Sequence, residues 1–249
     1  MKPTATLAQK LVAWQLQSGR HHLPWQNTQD AYKIWLSEIM LQQTQVATVM
    51  DYYQRFLQHY PTVDDLAAAP LDDVLALWAG LGYYSRARNL HRCAQTVVDV
   101  YGGAFPQTPE LLADLPGIGA STAAAISVFA YAQAAPILDG NVKRILSRVY
   151  GVQDAPSAQT DKILWAKARD TLATERDAVR LKIDFAQALR AYTQGVMDLG
   201  ATLCRKSHAQ CDVCPWQTDC VAFQTNSVDR IPAAKVRTEV KTIAFDWYI

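Results

Sequence analysis

Hydrophobic residues in this chain recur mostly at helical spacing. In Leu71–Trp78 the apolar Leu71, Val74, Leu75 and Trp78 fall at i, i+3, i+4 and i+7, one face of an α-helix. From Tyr84 to Val100, Leu90, Cys93, Ala94 and Val97 repeat that spacing, while Arg86, Asn89, Arg92 and Gln95 point elsewhere. Cys93 therefore reads as a small buried hydrophobe. Caps punctuate the segments: Thr62 with Asp65 suits a helix start, Thr108-Pro109 is an N-cap followed by proline, and Gly102-Gly103 closes a helix. The pattern predicts helices near 5–17, 31–43, 46–60, 63–69, 71–79, 84–102, 109–114, 119–132, 140–150, 158–173 and 184–202. No alternating apolar run bounded by hairpin turns precedes residue 240, so the chain reads as all-α. Beyond that, Ile231–Lys241 resembles a linker in composition and Thr242–Ile249 the start of a strand. A lone strand cannot bury itself, so the expectation is a chain that stops just after entering another domain.

A length of 249 residues allows one large domain or two lobes with real cores. The longest uncharged apolar stretches fall short of a membrane span, and the first residues read as an amphipathic helix and not a signal peptide. The expected class is a soluble, cytoplasmic, monomeric protein with no membrane partner. A net charge of +1 does not announce nucleic-acid binding. Its distribution says more, with Arg86, Arg88 and Arg92 in one cluster and Lys143, Arg144 and Arg148 in another. Either cluster alone reads first as a solvated helix face.

Four of the five cysteines, Cys204, Cys211, Cys214 and Cys220, lie in the spacing C-x6-C-x2-C-x5-C. Four converging thiolates suit an iron–sulfur cluster or zinc. Zinc sites usually bring cysteines in two close pairs, and only Cys211 and Cys214 are closely paired. Disulfides lack an extracellular context. Arg205, Lys206 and His208 give the same loop a cationic rim.

Leu115-Pro116-Gly117-Ile118-Gly119 precedes the alanine-rich segment Ala120–Ala132. It is either an ordinary turn between helices or a backbone cradle whose helix N–H groups face an anion such as a DNA phosphate. Asp139, just before a predicted helix, is a natural N-cap, and such a carboxylate is also held negative by the helix N-terminus. Glu38 lies on a helix with Ile34 and Trp35 one turn before it and Leu41 and Gln42 one turn after. It is either an exposed glutamate or a partly desolvated one kept protonated. One proton donor and one fixed anion form the pair that breaks glycosidic bonds.

The block Leu36–Val46 (LSEIMLQQTQV), with Leu23-Pro24-Trp25, Gly80–Tyr84, Leu115–Gly119, Ile137–Arg144 and the four cysteines, resembles adenine DNA glycosylases of the MutY type. That family belongs to the endonuclease III-like helix-hairpin-helix superfamily, and the match runs from about residue 7 to 225. The resemblance implies a two-lobed helix-hairpin-helix fold with an iron–sulfur cluster loop: a six-helix barrel over 29–139, a cluster domain of 1–28 plus 140–225, and a linker over 226–249. It implies excision of adenine mispaired with 8-oxoguanine or guanine in double-stranded DNA, with one 4Fe–4S cluster on Cys204, Cys211, Cys214 and Cys220. In the family pattern Glu38 protonates the base and Asp139 stabilises the sugar cation. Trp25, Gln26 and Gln194 line the adenine pocket, Leu41 and Gln43 wedge into the duplex, and Tyr83 intercalates. Gly117, Gly119 and Lys143 belong to the DNA-binding positions. Ser121 stands where strand-cutting relatives carry a lysine that forms a Schiff base, which implies base release without strand cleavage. The rival readings are a bifunctional pyrimidine-damage glycosylase/lyase and a non-catalytic lesion-binding protein.

Overall fold

The computed structural model describes residues 4–234. They form thirteen α-helices: α1 (Leu7–Ser18), α2 (Ala31–Leu41), α3 (Val46–His59), α4 (Val63–Ala68), α5 (Leu71–Trp78), α6 (Tyr84–Tyr101), α7 (Pro109–Ala113), α8 (Ala120–Tyr131), α9 (Gly140–Tyr150), α10 (Ala158–Thr171), α11 (Glu175–Leu181), α12 (Phe185–Thr202) and α13 (Val221–Gln224). No strand occurs among the described residues. The region Thr242–Ile249, expected to begin a strand, lies outside them.

Local sequence sets many of the helix starts. Thr6 with Gln9, Thr62 with Asp65 and Thr174 with Asp177 close reciprocal capping boxes on α1, α4 and α11. Asp30, Ser157 and Asp184 cap α2, α10 and α12 through their side chains. Each cap satisfies backbone N–H groups that the first turn leaves without a partner.

Apolar burial then gathers the helices into two clusters. One joins α2 to α8 around the fully buried Trp35, Phe56 and Trp78. The other joins α1 to α9, α10 and α12 around Leu11, Ile145, Leu199 and Trp216. Helix α8 serves both: Ala123 and Ile126 face the first cluster, and Ala124, Ala125 and Val128 the second. Its many alanines let the helix be covered on all sides while neighbours approach closely. Helices α2 and α7 pack against it, and so does α12.

Three features depart from the sequence expectation. Helices α11 and α13 were not anticipated; seven and four residues are too few for a readable period, and Val179 of α11 is 76% exposed. Helix α2 stops at Leu41 instead of continuing to 43: Gln42 already leaves helical geometry with ψ of 110°, and Gln43 follows in the left-handed region with φ of 58°.

Candidate active site

Ile34, Trp35, Leu36 and Ile39 bury most of α2, leaving Glu38 at the edge of that packed face. The side chain opens into a pocket of about 390 Å³ and is otherwise walled in by protein. No hydrogen-bond donor or ion-pair partner reaches the Glu38 carboxyl from the described residues. Burial, helped by the negative charge of Asp139, pushes its pKa up to about 8. Asp139 is exposed, and its carboxylate accepts the Val142 N–H at 2.8 Å as the N-cap of α9. The Leu138 N–H donates to Ser121 Oγ at 3.0 Å, which ties the backbone leading into Asp139 to the first turn of α8. The structure thus brings the two acids into electrostatic range, one partly enclosed and the other facing solvent.

Trp25, Gln26, Leu41 and Gln194 line the same pocket as Glu38. Trp25 is set edge-on against Tyr53, ring centres 5.4 Å apart. Gln26 is held on both sides, accepting the Leu23 N–H at 3.1 Å and donating to Arg20 O at 2.9 Å. Gln194 donates to Asp198 Oδ1 at 2.9 Å. Asp198 is itself fully buried and accepts from Arg20 Nε at 2.7 Å and from the Arg20 N–H at 2.9 Å. A buried carboxylate needs this many donors to offset its desolvation. Arg20 and Asp198 escaped the sequence reading; the one available cue was an acid four residues after Gln194 on an apolar helix.

Gln43 and Tyr83 do not line this pocket. They border a second cleft of about 190 Å³, together with Arg86, Asn89 and Gly117. Gly117 has φ of +80°, and a Cβ there would lie 2.9 Å from Asn89 Cβ, so the turn needs glycine both for conformation and for space. Gly119 begins α8 with no side-chain cap, and a Cβ on it would meet nothing within 4 Å. No side chain caps the first N–H groups of α8, and Gly119 and Ala120 at its start are exposed.

The basic clusters are not uniform solvated faces. Arg86 is 7% exposed and turns toward the end of α2. Arg144 also turns inward, donating to Cys204 O and Gly200 O at 2.9 Å each. Lys143 is half-exposed and pairs with Asp161 at 2.7 Å.

The cysteine loop is fastened to both α9 and α1. Arg148, 3% exposed, donates to Arg205 O at 2.7 Å and lies 3.4 Å from Cys204 Sγ. Trp216 is fully buried and donates to Leu7 O at 2.8 Å, while Lys10 pairs with Asp219 at 2.6 Å. Cys204, Cys211, Cys214 and Cys220 line one apolar hollow with Ile145, Val149, Leu199 and Leu203. Burial pushes the Cys214 thiol up to about 12, with further contributions from the other three cysteines. Among the described residues no three His, Cys, Asp or Glu side chains close tightly enough to hold a single metal ion. Four half-buried sulfurs around an apolar hollow, with a buried guanidinium alongside, fit a larger anionic thiolate-ligated group. No described helix is long and apolar enough to cross a membrane.

Residues 36–170 match the family described as HhH-GPD superfamily base excision DNA repair protein. The adenine DNA glycosylase of Buchnera aphidicola subsp. Baizongia pistaciae is 36% identical over 246 residues, covering 99% of this chain and 66% of that protein. The human adenine DNA glycosylase is 41% identical over 234 residues, covering 90% of this chain and 40% of its own length. The chain thus spans two thirds or less of these relatives. A thermostable thymine-DNA glycosylase structure superposes with a TM-score of 0.74 at 24% identity, covering 88% of this chain and 95% of that one. An endonuclease III–DNA complex gives 0.69 at 19% identity, covering 88% and 94%. These two likenesses establish the fold.

Proposed function

The chain belongs to the HhH-GPD superfamily of base excision DNA repair proteins, and we propose that it is a monofunctional glycosylase releasing adenine mispaired with 8-oxoguanine or guanine. The observation that carries this reading is Glu38, whose carboxyl is pushed up to about 8 at the wall of a base-sized pocket, with Asp139 close enough to contribute to the shift. At neutral pH such an acid holds its proton and can give it away.

A proton donor in that pocket cannot reach a base inside the duplex stack, so the adenine must be extruded first. Glu38 then protonates the base at N7, and the bond from the sugar C1′ to N9 breaks with its electron pair leaving on adenine. Asp139 stabilises the positive charge left on the sugar, and water adds at C1′ while its proton passes to the Glu38 carboxylate, which completes hydrolysis. Trp25, Gln26 and Gln194 enclose the adenine, Leu41 and Gln43 fill the space it leaves, and Tyr83 enters beside the opposite base. Gly117 and Gly119 present the first N–H groups of α8 to a phosphate, and Lys143 on α9 makes a separate phosphate contact. Ser121 offers no amine for a Schiff base, and its hydroxyl is already engaged by the Leu138 N–H.

The same reading assigns residues 29–139 to a barrel lobe and residues 1–28 plus 140–225 to a cluster lobe, acting as a monomer. Cys204, Cys211, Cys214 and Cys220 hold a 4Fe–4S cluster. When bound, the cluster supplies cross-linking of the loop and no electron transfer to the reaction, since hydrolysis moves none.

Incubation with duplexes carrying A:8-oxoguanine, A:G, A:T and thymine glycol tests the assignment. Adenine should leave the first two only. Absence of release from both would overturn it, and efficient borohydride trapping of protein on DNA would overturn the monofunctional mechanism. The purified protein should be brown with iron and sulfide bound; a colourless zinc protein with full activity would remove the cluster.

A further inference from the structure

We propose that Arg86 is a positioning residue that locks Gln43 and Tyr83 into one rigid unit, so that both enter the duplex together as the base is extruded. This rests on the glycosylase reading above and adds to it a single control point for duplex distortion.

Gln43 lies after α2 and Tyr83 before α6, and both occupy the left-handed region, with φ of 58° and 50°. Side chains with a Cβ adopt it sparsely, and they persist there only when their surroundings fix them. Arg86 supplies that fixation for both. One of its terminal nitrogens donates to Met40 O at 3.2 Å and also to Gln42 O. The other donates to Thr44 Oγ1 at 3.0 Å and to Leu81 O at 3.5 Å. The residues on either side of Gln43 are therefore held by the same planar group that reaches the loop carrying Tyr83. Its guanidinium carbon lies 5.6 Å from the Tyr83 ring centre and 5.2 Å from that of Trp78.

Ordinary structural needs do not explain this placement. Among the described residues no carboxylate pairs with Arg86, and its Nε is buried without a partner. A buried cation answered by carbonyls, one hydroxyl and ring faces, with no carboxylate, is costly to keep where only packing is required. The clamped residues themselves point outward: Tyr83 is 59% exposed and Gln43 is exposed, bordering the cleft they share with Gly117. Lysine cannot replace the fork, because a single ammonium cannot meet acceptors on both segments in that plane.

The test uses Arg86→Lys and Thr44→Val in the full chain, with duplexes carrying 2-aminopurine beside the mispaired adenine to report unstacking. In Arg86→Lys the fluorescence rise on binding, and the single-turnover rate on A:8-oxoguanine, should each fall about tenfold, equivalent to one or two lost hydrogen bonds. The pH dependence of the remaining rate should match the wild type, since the surroundings of Glu38 are untouched. Thr44→Val removes one arm of the clamp and should give a smaller loss of both signals at an unchanged melting temperature.

A folded Arg86→Lys protein with wild-type fluorescence and rate overturns the proposal. So does one that melts lower yet unstacks DNA normally, since Arg86 would then be packing alone. If Arg86→Lys does not fold, Thr44→Val decides, and an unchanged fluorescence rise there refutes the clamp. Failure of the wild-type protein to release adenine sinks the glycosylase reading instead, while its fluorescence response still judges the clamp.

Discussion

Glu38 and Asp177 are the same chemical group under opposite management. Both are largely withdrawn from water, and burial raises the pKa of each. Around Asp177 that effect is outweighed, because Thr174, Thr6 and Gln9 all donate to the carboxylate and hold it below the usual 3.8. The donors are Thr6 Oγ1 and Gln9 Nε2 at 2.8 Å each, the Thr174 N–H at 2.9 Å and Thr174 Oγ1 at 2.7 Å. Around Glu38 no donor arrives from the described residues, and the neighbouring charge is another carboxylate. Desolvation is common to the two sites, so hydrogen-bond donors decide which acid stays ionised. Asp177 joins the N-termini of α1 and α11 and serves stability; Glu38 joins nothing and is left with a proton to give.

The largest effect that could break this contrast is on excision. Glu38→Gln keeps the shape of the side chain but has no acidic proton, so single-turnover adenine release should fall about a thousandfold, within the usual range for a general acid. Duplex binding should persist, as a gel-shift or anisotropy titration would show. Unchanged release would remove Glu38 from the mechanism. In the wild type, release should decline as pH rises through about 8, where the Glu38 carboxyl loses its proton. A rate that instead climbs steadily beyond that pH would mean the ionised form is the active one.

How much of this contrast is legible in sequence depends on distance along the chain. Glu38 could be found because its apolar neighbours lie one helical turn away, and Asp139 because a cap is read from the residues that follow it. The reciprocal pair Thr174 and Asp177 is equally local, yet the seven-residue helix it starts has too little periodicity to notice. Asp177 as the meeting point of two helices was out of reach, since Thr6 lies 171 residues away. Arg86 was misplaced for a related reason. Its partners are mainly backbone carbonyls at the end of α2, and carbonyls leave no mark in a pattern of side chains. Arg20 and Asp198, 178 residues apart, are hidden in the same way.

A smaller effect, on stability, sharpens the comparison from the other side. Asp177→Asn keeps the size but loses the charge that all four bonds assist, and it should cost about 2–3 kcal/mol in urea unfolding at neutral pH. The sign with pH follows from the lowered value. The unfolded chain binds the proton more readily, so the contribution of Asp177 is complete well above 3.8 and disappears as pH falls below it. Wild type and variant should therefore converge in acid. A gap that stays constant down to low pH would assign the cost to lost packing instead.

The smallest effect belongs to Glu38 and has the opposite sign. Its folded value lies above the unfolded one of 4.5, so between 4.5 and about 8 the folded protein binds more protons than the unfolded chain. Stability from this group must then fall as pH rises through that window, whereas that from Asp177 rises with pH in its own. Glu38→Gln removes the ionisation, so the variant should gain on the wild type as pH is raised from about 5 to 8. The gain should be on the order of 1–2 kcal/mol once the opening into the pocket is discounted, or a few degrees in melting temperature for a chain of this size. Equal melting of the two proteins across the window would mean that Glu38 ionises as freely folded as unfolded. The enclosure that the proposed proton donor requires would then be absent, whatever the loss of excision in the variant.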